Sequence, residues 1–346
     1  MATKVTPKIS DAVEAYLAQQ RPFVARNTYA GYATYLRRFA GFIGSKQIGR
    51  VTTDELINFL GACADGTVGR SPCCPRTVRK VRNHLNGFFR WARERNYSNV
   101  HPESIKLLKV GDQRKDYLRL NPDQIVSMIE NCVHPRDRIF IAIAVNTALR
   151  AHSITAIQIK DVHLDQGYLY IRIAKTHEVD RLAISGDLDS ELRRWITWYQ
   201  EHADVSPDSF LVPSKEGHRF IGPGKTVPEY QARVFPDRRF KYPNDIIKVQ
   251  LKKLGYSDDE LRKEGAHTLR RSAAVAFREL LIQNGVTDTR PVSAFLHHKS
   301  ETTTSLYLGW DKDKEIRDTA LSGNGFLSAL TSKPDNVVSL DERRKV

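Results

Sequence analysis

From residue 27 to 44 the apolar side chains Tyr29, Tyr32, Tyr35, Leu36, Phe39, Phe42 and Ile43 recur every three or four positions, the period of an amphipathic helix. Asn27 or Thr28 is placed to cap that helix and Gly44 to end it. The same period predicts a second helix over 76–93, burying Val78, Val81, Leu85, Phe88, Phe89 and Ala92. Its other faces carry Arg76, Arg79, Lys80, Arg82, Arg90 and Arg93. With shorter helices at 10–18 and 53–62, residues 1–104 read as a small all-helical domain with a basic exterior. The stretch that begins IKLLKVGDQRK is polar, basic and contains Gly111, so 105–116 reads as an interdomain linker.

A second domain is predicted over 117–330. Helical patterns occupy 122–131 and 136–147, and another follows Arg150. The period then falls to two: 168–173 and 181–184 alternate like paired strands joined by the polar turn 174–180. A helix over 188–201 comes next, then a loop-rich insertion near 213–243, then helices to about residue 320. The tail 331–346 is polar, and no internal repeat is visible. The fold class is therefore mainly α, with a small antiparallel sheet in the second domain.

With 346 residues, two domains can each bury a core, and 40% hydrophobic with 27% charged residues excludes wholesale disorder. The sign of the charge is what stands out. Lys and Arg number 54 against 40 acidic residues, a net +14. Residues 1–116 hold 20 basic and 9 acidic residues, so +11 of that surplus lies in the first third. A polyanion is the natural partner, because neutralised phosphates release condensed counterions. The four cysteines, Cys63, Cys73, Cys74 and Cys132, form no CxxC pair and suggest neither a zinc site nor a disulfide framework. No apolar run is long enough for a membrane span, and the start MATKVTPKIS lacks a signal-peptide core, so an intracellular protein with reduced thiols is expected.

Five segments of the second domain carry candidate chemistry: TALRAHSI with Arg150, IAKT with Lys175, HTLRRS with His267 and Arg270, LHHKS with His298, and TTTSLYLG with Tyr307, nine residues after His298. A chain with this many His and basic residues holds about one HxxR by chance, so the weight lies in the order of all five. In that order the domain resembles the catalytic domain of the tyrosine recombinases, the phage-integrase family that includes Cre-like and Xer-like enzymes. The segments TYAGYATYLRRFAGFIG and RTVRKVRNHLNGFFRWARERNYSNVHP resemble helices of that family's SAM-like core-binding domain, so the resemblance runs from about residue 8 to 330.

The resemblance implies a C-shaped clamp on duplex DNA and a 3′-phosphotyrosyl intermediate made by Tyr307. It implies that Arg150 and Arg270 grip the phosphate, for which a guanidinium suits because it makes paired charge-assisted bonds and never deprotonates. His267 would act as acid and base, His298 would bond the phosphate, and Lys175 would protonate the departing 5′ oxygen. Arg37, Arg76, Arg79, Lys80 and Arg82 are the candidates for phosphate contacts by the first domain. No metal, nucleotide or other cofactor is implied. His177, in a His-Glu pair without a second His, is assigned no metal role.

Three positions depart from the family pattern. Ala148 stands where a Gly usually precedes the first Arg, His297 where a Gly usually precedes the later His, and Ser153 where the family usually has Glu or Asp. The chain also starts almost directly at the core-binding domain, so no arm-binding domain is expected. The partners implied are double-stranded recombination sites and a homotetramer on two duplexes, with accessory DNA-bending proteins as a further class and no membrane. The setting implied is the bacterial cytoplasm or nucleoid, with a phage or mobile element as one source of the gene. Type IB topoisomerases and telomere resolvases would use the same residue set, and a non-catalytic DNA-binding relative would keep the fold. Product type and active-site titration separate these readings.

Overall fold

The computed structural model describes residues 6–69, 71–107, 117–173, 178–216, 232–286, 288–297 and 304. The chain divides into two compact units, Met1–Arg114 and Lys115–Val346.

In the first unit four helices, α1 (Ile9–Gln20), α2 (Arg26–Ile43), α3 (Thr53–Asp65) and α4 (Pro75–Glu94), pack around an aromatic centre. The Phe39 ring meets Phe59 edge-on at 5.1 Å and Phe89 at 5.9 Å, a geometry favoured by the ring quadrupoles. All six apolar residues expected to be buried on α4 are buried, as is Trp91. On α2 the buried row is Ala33, Leu36 and Phe39, and Phe42 is exposed at its rim. The cap expected from Asn27 or Thr28 is not formed: α2 begins at Arg26 after Ala25, which has no side-chain acceptor, so both polar residues fall inside the first turn. Gly44 does end the helix, at φ 78°, where a Cβ would be strained. Ile105, at the start of the expected linker, is buried in this core, and its carbonyl accepts from Arg82 Nη1 at 3.1 Å.

The second unit is built around α6 (Pro135–Thr147), whose Ile139, Phe140, Ile141, Ala142, Ile143 and Ala144 are all buried. A helix apolar on every side needs partners on every side. These are α5 (Pro122–Glu130), α8 (Gly186–His202) and α11 (Ala266–Gln283). Strands β1 (Val162–His163), β2 (Tyr168–Ile173) and β3 (Glu178–Ala183) form an antiparallel sheet in that order. Leu169 pairs with Leu182 and Ile171 with Asp180. Leu169 and Ile171 enter the core, while Tyr168, Tyr170 and Arg172 face out, the alternation that a one-sided sheet requires.

The insertion read as loop-rich contains a second antiparallel pair, β4 (Pro213–Lys215) and β5 (Val234–Arg239). VFPDRR has no apolar alternation to reveal it. Buried Val234 seats the pair in the core, and polar contacts add to it: Lys215 Nζ lies 2.8 Å from buried Asp137, which also pairs with buried Arg136, and His134 Nε2 meets the Ala232 carbonyl at 3.0 Å. Short helices α7 (Ala151–Ile154), α9 (Pro243–Lys253), α10 (Asp258–Leu261) and α12 (Arg290–Phe295) complete the described elements. No helix among the described residues is long and apolar enough to cross a membrane.

Candidate active site

Helix α6 ends at Ala148, which adopts the left-handed conformation at φ 47° and ψ 23°. The chain turns there, and Arg150 caps α7 with its carbonyl, which accepts from the N–H groups of Ser153 and Ile154 at 2.8 and 3.1 Å. The Arg150 side chain is exposed. Behind α7, Arg239 of β5 donates to the His152 carbonyl and, at 3.1 Å, to Thr155 Oγ1. Arg239 was not singled out from sequence, because the insertion that carries it lacked a recognisable period.

Helix α11 starts beside Asn244, whose Oδ1 accepts from Ala266 N–H at 2.9 Å. A Cβ on Gly265 would lie 2.6 Å from that oxygen, so this close approach needs glycine. His267 is exposed in the first turn. Partial desolvation, then the charges of Arg270, Arg271 and Arg150, hold its imidazole below the ordinary histidine range. Both effects favour the neutral ring at pH 7.

One turn on, Arg270 is buried to 2% exposure. Its guanidinium donates to the carbonyls of Ala148 and Leu296 and so joins the turn before Arg150 to the turn after α12. Arg271 points the other way, paired with Glu264 and stacked 4.6 Å over the Tyr117 ring. Glu264 also accepts from Thr268 Oγ1 at 2.6 Å, and Ser272 Oγ accepts from Leu120 N–H at 2.9 Å. These bonds seat α11 on the start of its own unit and fix the angle at which Arg270 is presented.

After α12 the chain turns through His297, also left-handed at φ 48°. Its Nδ1 lies 3.2 Å from Asp180 Oδ2 on β3. Burial holds this imidazole below its usual range; Asp180 opposes that shift, and Arg270 and Arg150 add to it. Further on, Thr304 is buried, with its Oγ1 2.8 Å from Ser293 Oγ of α12.

Of the expected catalytic residues, Arg150, His267 and Arg270 come together in one electrostatic neighbourhood. Lys175, His298 and Tyr307 lie outside the described residues. Among the described residues no group of three or more His, Cys, Asp or Glu side chains is placed to hold a metal ion.

In the first unit Arg76 and Lys80 are exposed on α4 in line with Asn83 and Arg90, Arg79 is half-buried, and Arg82 is half-buried with its bond to Ile105. Arg37 holds both carboxylate oxygens of Glu14, at 2.7 and 2.9 Å, and that hydrogen-bonded pairing lowers the Glu14 pKa.

Residues 118–314 match the phage integrase family. The chain is 25% identical over 309 residues to a tyrosine recombinase of Thermosipho africanus, with 87% of this chain and 94% of that protein covered. It is 24% identical over 172 residues to tyrosine recombinase XerA of Saccharolobus solfataricus, a match that spans 48% of this chain and 56% of that protein. Among solved structures, a lambda integrase tetramer bound to a Holliday junction shares the fold at a TM-score of 0.63 and 15% identity, covering 89% of this chain and 79% of that one.

Proposed function

The chain belongs to the phage integrase family, and from that premise we propose that it is a tyrosine-type site-specific DNA recombinase that cuts and rejoins strands through a phosphotyrosyl intermediate. The observation that carries this reading is the convergence of Arg150, His267 and Arg270 from two distant parts of the sequence.

In the proposed reaction Arg150 and Arg270 hold the non-bridging oxygens of one DNA phosphate. A transition state that gathers charge on those oxygens gains most from cations already in place, and Arg270 is fixed by two backbone carbonyls. The Tyr307 hydroxyl oxygen bonds to phosphorus, its proton passes to His267, and the bond to the 5′ oxygen breaks as Lys175 gives that oxygen a proton. A neutral His267 is in the state needed to accept. His298 bonds the phosphate. Because the phosphotyrosyl bond keeps the energy of the one broken, a 5′ hydroxyl of either strand can reverse the step without ATP. The first domain, proposed over 1–104, grips the duplex through α4, a linker is proposed over 105–116, and the domain 117–330 does the chemistry. Exchange between two duplexes calls for four copies, the assembly in which lambda integrase is seen on a Holliday junction. The place of action is the compartment that holds the DNA.

The test is trapping on a pool of nicked duplexes drawn from the DNA that flanks the gene. The wild-type chain should form a covalent adduct stable to denaturation, and Tyr307→Phe should bind the same DNA and form none. An adduct from Tyr307→Phe would move the nucleophile elsewhere. Relaxation of supercoils without exchange between sites would make the enzyme a topoisomerase.

A further inference from the structure

Asp180 sits on β3, paired across the sheet with buried Ile171, and its side chain is half-exposed, at 45%. Its carboxylate makes two contacts. One oxygen accepts from the N–H of Arg181 at 2.8 Å, and the other reaches out of the sheet to His297 Nδ1 at 3.2 Å. His297 is itself in an unfavourable place. Its backbone is left-handed, its side chain is only 11% exposed, and its ring lies within the fields of Arg270 on α11 and Arg150 before α7. Backbone strain at a residue with one specific side-chain contact points to a positional task. The contact joins β3 to a turn whose preceding carbonyl, that of Leu296, accepts from Arg270.

We propose that Asp180 and His297 are a positioning pair that fastens the β2–β3 hairpin to the arginine centre, so that the strands flanking Lys175 in sequence hold a fixed distance from Arg150 and Arg270. With Nδ1–H committed to Asp180, the neutral ring presents its Nε2 lone pair on the buried side. The charged groups that face the ring are Asp180 from β3, Arg270 from α11 and Arg150 from the turn before α7. The anchoring part of this proposal needs no substrate, whereas its catalytic consequence rests on the recombinase reading.

The experiment uses the full chain as wild type, Asp180→Ala, Asp180→Glu and His297→Asn, with two readouts. The first is hydrogen exchange, without DNA. Loss of the pair should speed exchange of the β3 amides about tenfold or more, while α6 amides keep their wild-type protection and so show that the variant is folded. The second is adduct formation on nicked duplexes drawn from the DNA that flanks the gene. Asp180→Ala should slow it by about ten- to a hundredfold, the range expected when reacting groups are misplaced without being removed. Asp180→Glu should restore most of that loss, and in His297→Asn the acid limb of the pH profile should lose one proton. If Asp180→Ala leaves β3 exchange within about twofold of wild type, or slows cleavage with no change of the acid limb in His297→Asn, the proposal is overturned. If the wild type itself forms no adduct, the recombinase reading fails and β3 exchange alone decides the anchor.

Discussion

The guanidinium of Arg270 donates to the carbonyl of Ala148, two residues before Arg150. A second branch reaches the Leu296 carbonyl, so one buried cation braces both left-handed turns of the site. Under the proposed reaction, structural and chemical demands therefore fall on the same side chain.

That double demand predicts how substitutions of Arg270 behave. Arg270→Ala leaves two buried carbonyls without this donor, a loss of about 1–3 kcal/mol for each. It should also slow adduct formation by at least about a hundredfold, as removal of one preorganised charge stabiliser does. Arg270→Lys keeps the charge but not the fork that spans both turns, so it should recover less than a tenth of the lost rate, by about the same reasoning. Urea unfolding and trapping on nicked DNA measure the two effects separately.

The two left-handed turns make a paired prediction. A non-glycine residue there costs about 1–2 kcal/mol, against which glycine adds about 0.5–1 kcal/mol of unfolded-state entropy. Ala148→Gly should therefore raise stability by up to about 1 kcal/mol. His297→Gly relieves the same strain but breaks the contact with Asp180. It should gain less than Ala148→Gly, or lose stability outright. Thermal unfolding of the two variants side by side checks the order.

Ala148 and His297 also mark how far the sequence could be read. Both stood out as residues in place of glycine, and both have the backbone that glycine favours. Helix α4 was legible because a single period set its buried face, and segment order picked out Arg150, His267 and Arg270, which the fold brings into one electrostatic neighbourhood. The contact of Asp180 with His297 was not legible, since it depends jointly on strand register and on a left-handed turn far along the chain. Strands β4 and β5 were hidden for another reason: each buries a single residue, Pro213 and Val234, and the Lys215–Asp137 ion pair that helps to hold them has no period.

On the first unit the geometry separates four of the five basic candidates. Arg76 and Lys80 are exposed on α4, whereas Arg37 is engaged with Glu14 and Arg82 with the Ile105 carbonyl. Arg76→Ala and Lys80→Ala should each reduce the slope of log K against log salt by about one unit. Arg82→Ala should chiefly lower stability, by about 1 kcal/mol or more for the lost charged bond. Fluorescence anisotropy at several salt concentrations gives the slopes. A flattened slope for Arg82→Ala with unchanged stability would reverse the assignment.

The acid role of Lys175 is tested through the leaving group. Sulfur in place of the 5′ oxygen departs without a proton, so Lys175→Ala should be badly impaired on normal DNA and largely rescued on the 5′-phosphorothiolate. Arg150→Ala should gain far less, since its task is to hold charge on the non-bridging oxygens. Equal rescue of both would show that sulfur only accelerates every variant, and no rescue of Lys175→Ala would make His267 the next acid to test.

The last prediction concerns stability and pH at His134, which caps α6 from beneath the site. Its Nδ1 accepts from Arg136 N–H at 3.1 Å while Nε2 bonds the Ala232 carbonyl at 3.0 Å. That arrangement needs a neutral ring with its proton on Nε2. Burial, with Lys215 and Arg136 adding to it against the Ala232 bond and Asp137, pushes the pKa down to about 4 from 6.5. The folded state thus binds the proton less readily than the unfolded state. Its contribution is fully present above about pH 6.5 and is lost as pH falls toward 4, by up to about 3 kcal/mol in all. Protonation would also turn the Nδ1 acceptor into a donor facing the Arg136 N–H, so the helix cap would weaken while the Nε2–H bond to Ala232 would remain. His134→Asn offers an amide oxygen for the cap without a titrating ring. It should lower stability at neutral pH yet flatten the loss between pH 7 and 4.5, read from urea unfolding at several pH values. Parallel curves for the two proteins would mean that His134 titrates normally in the folded chain.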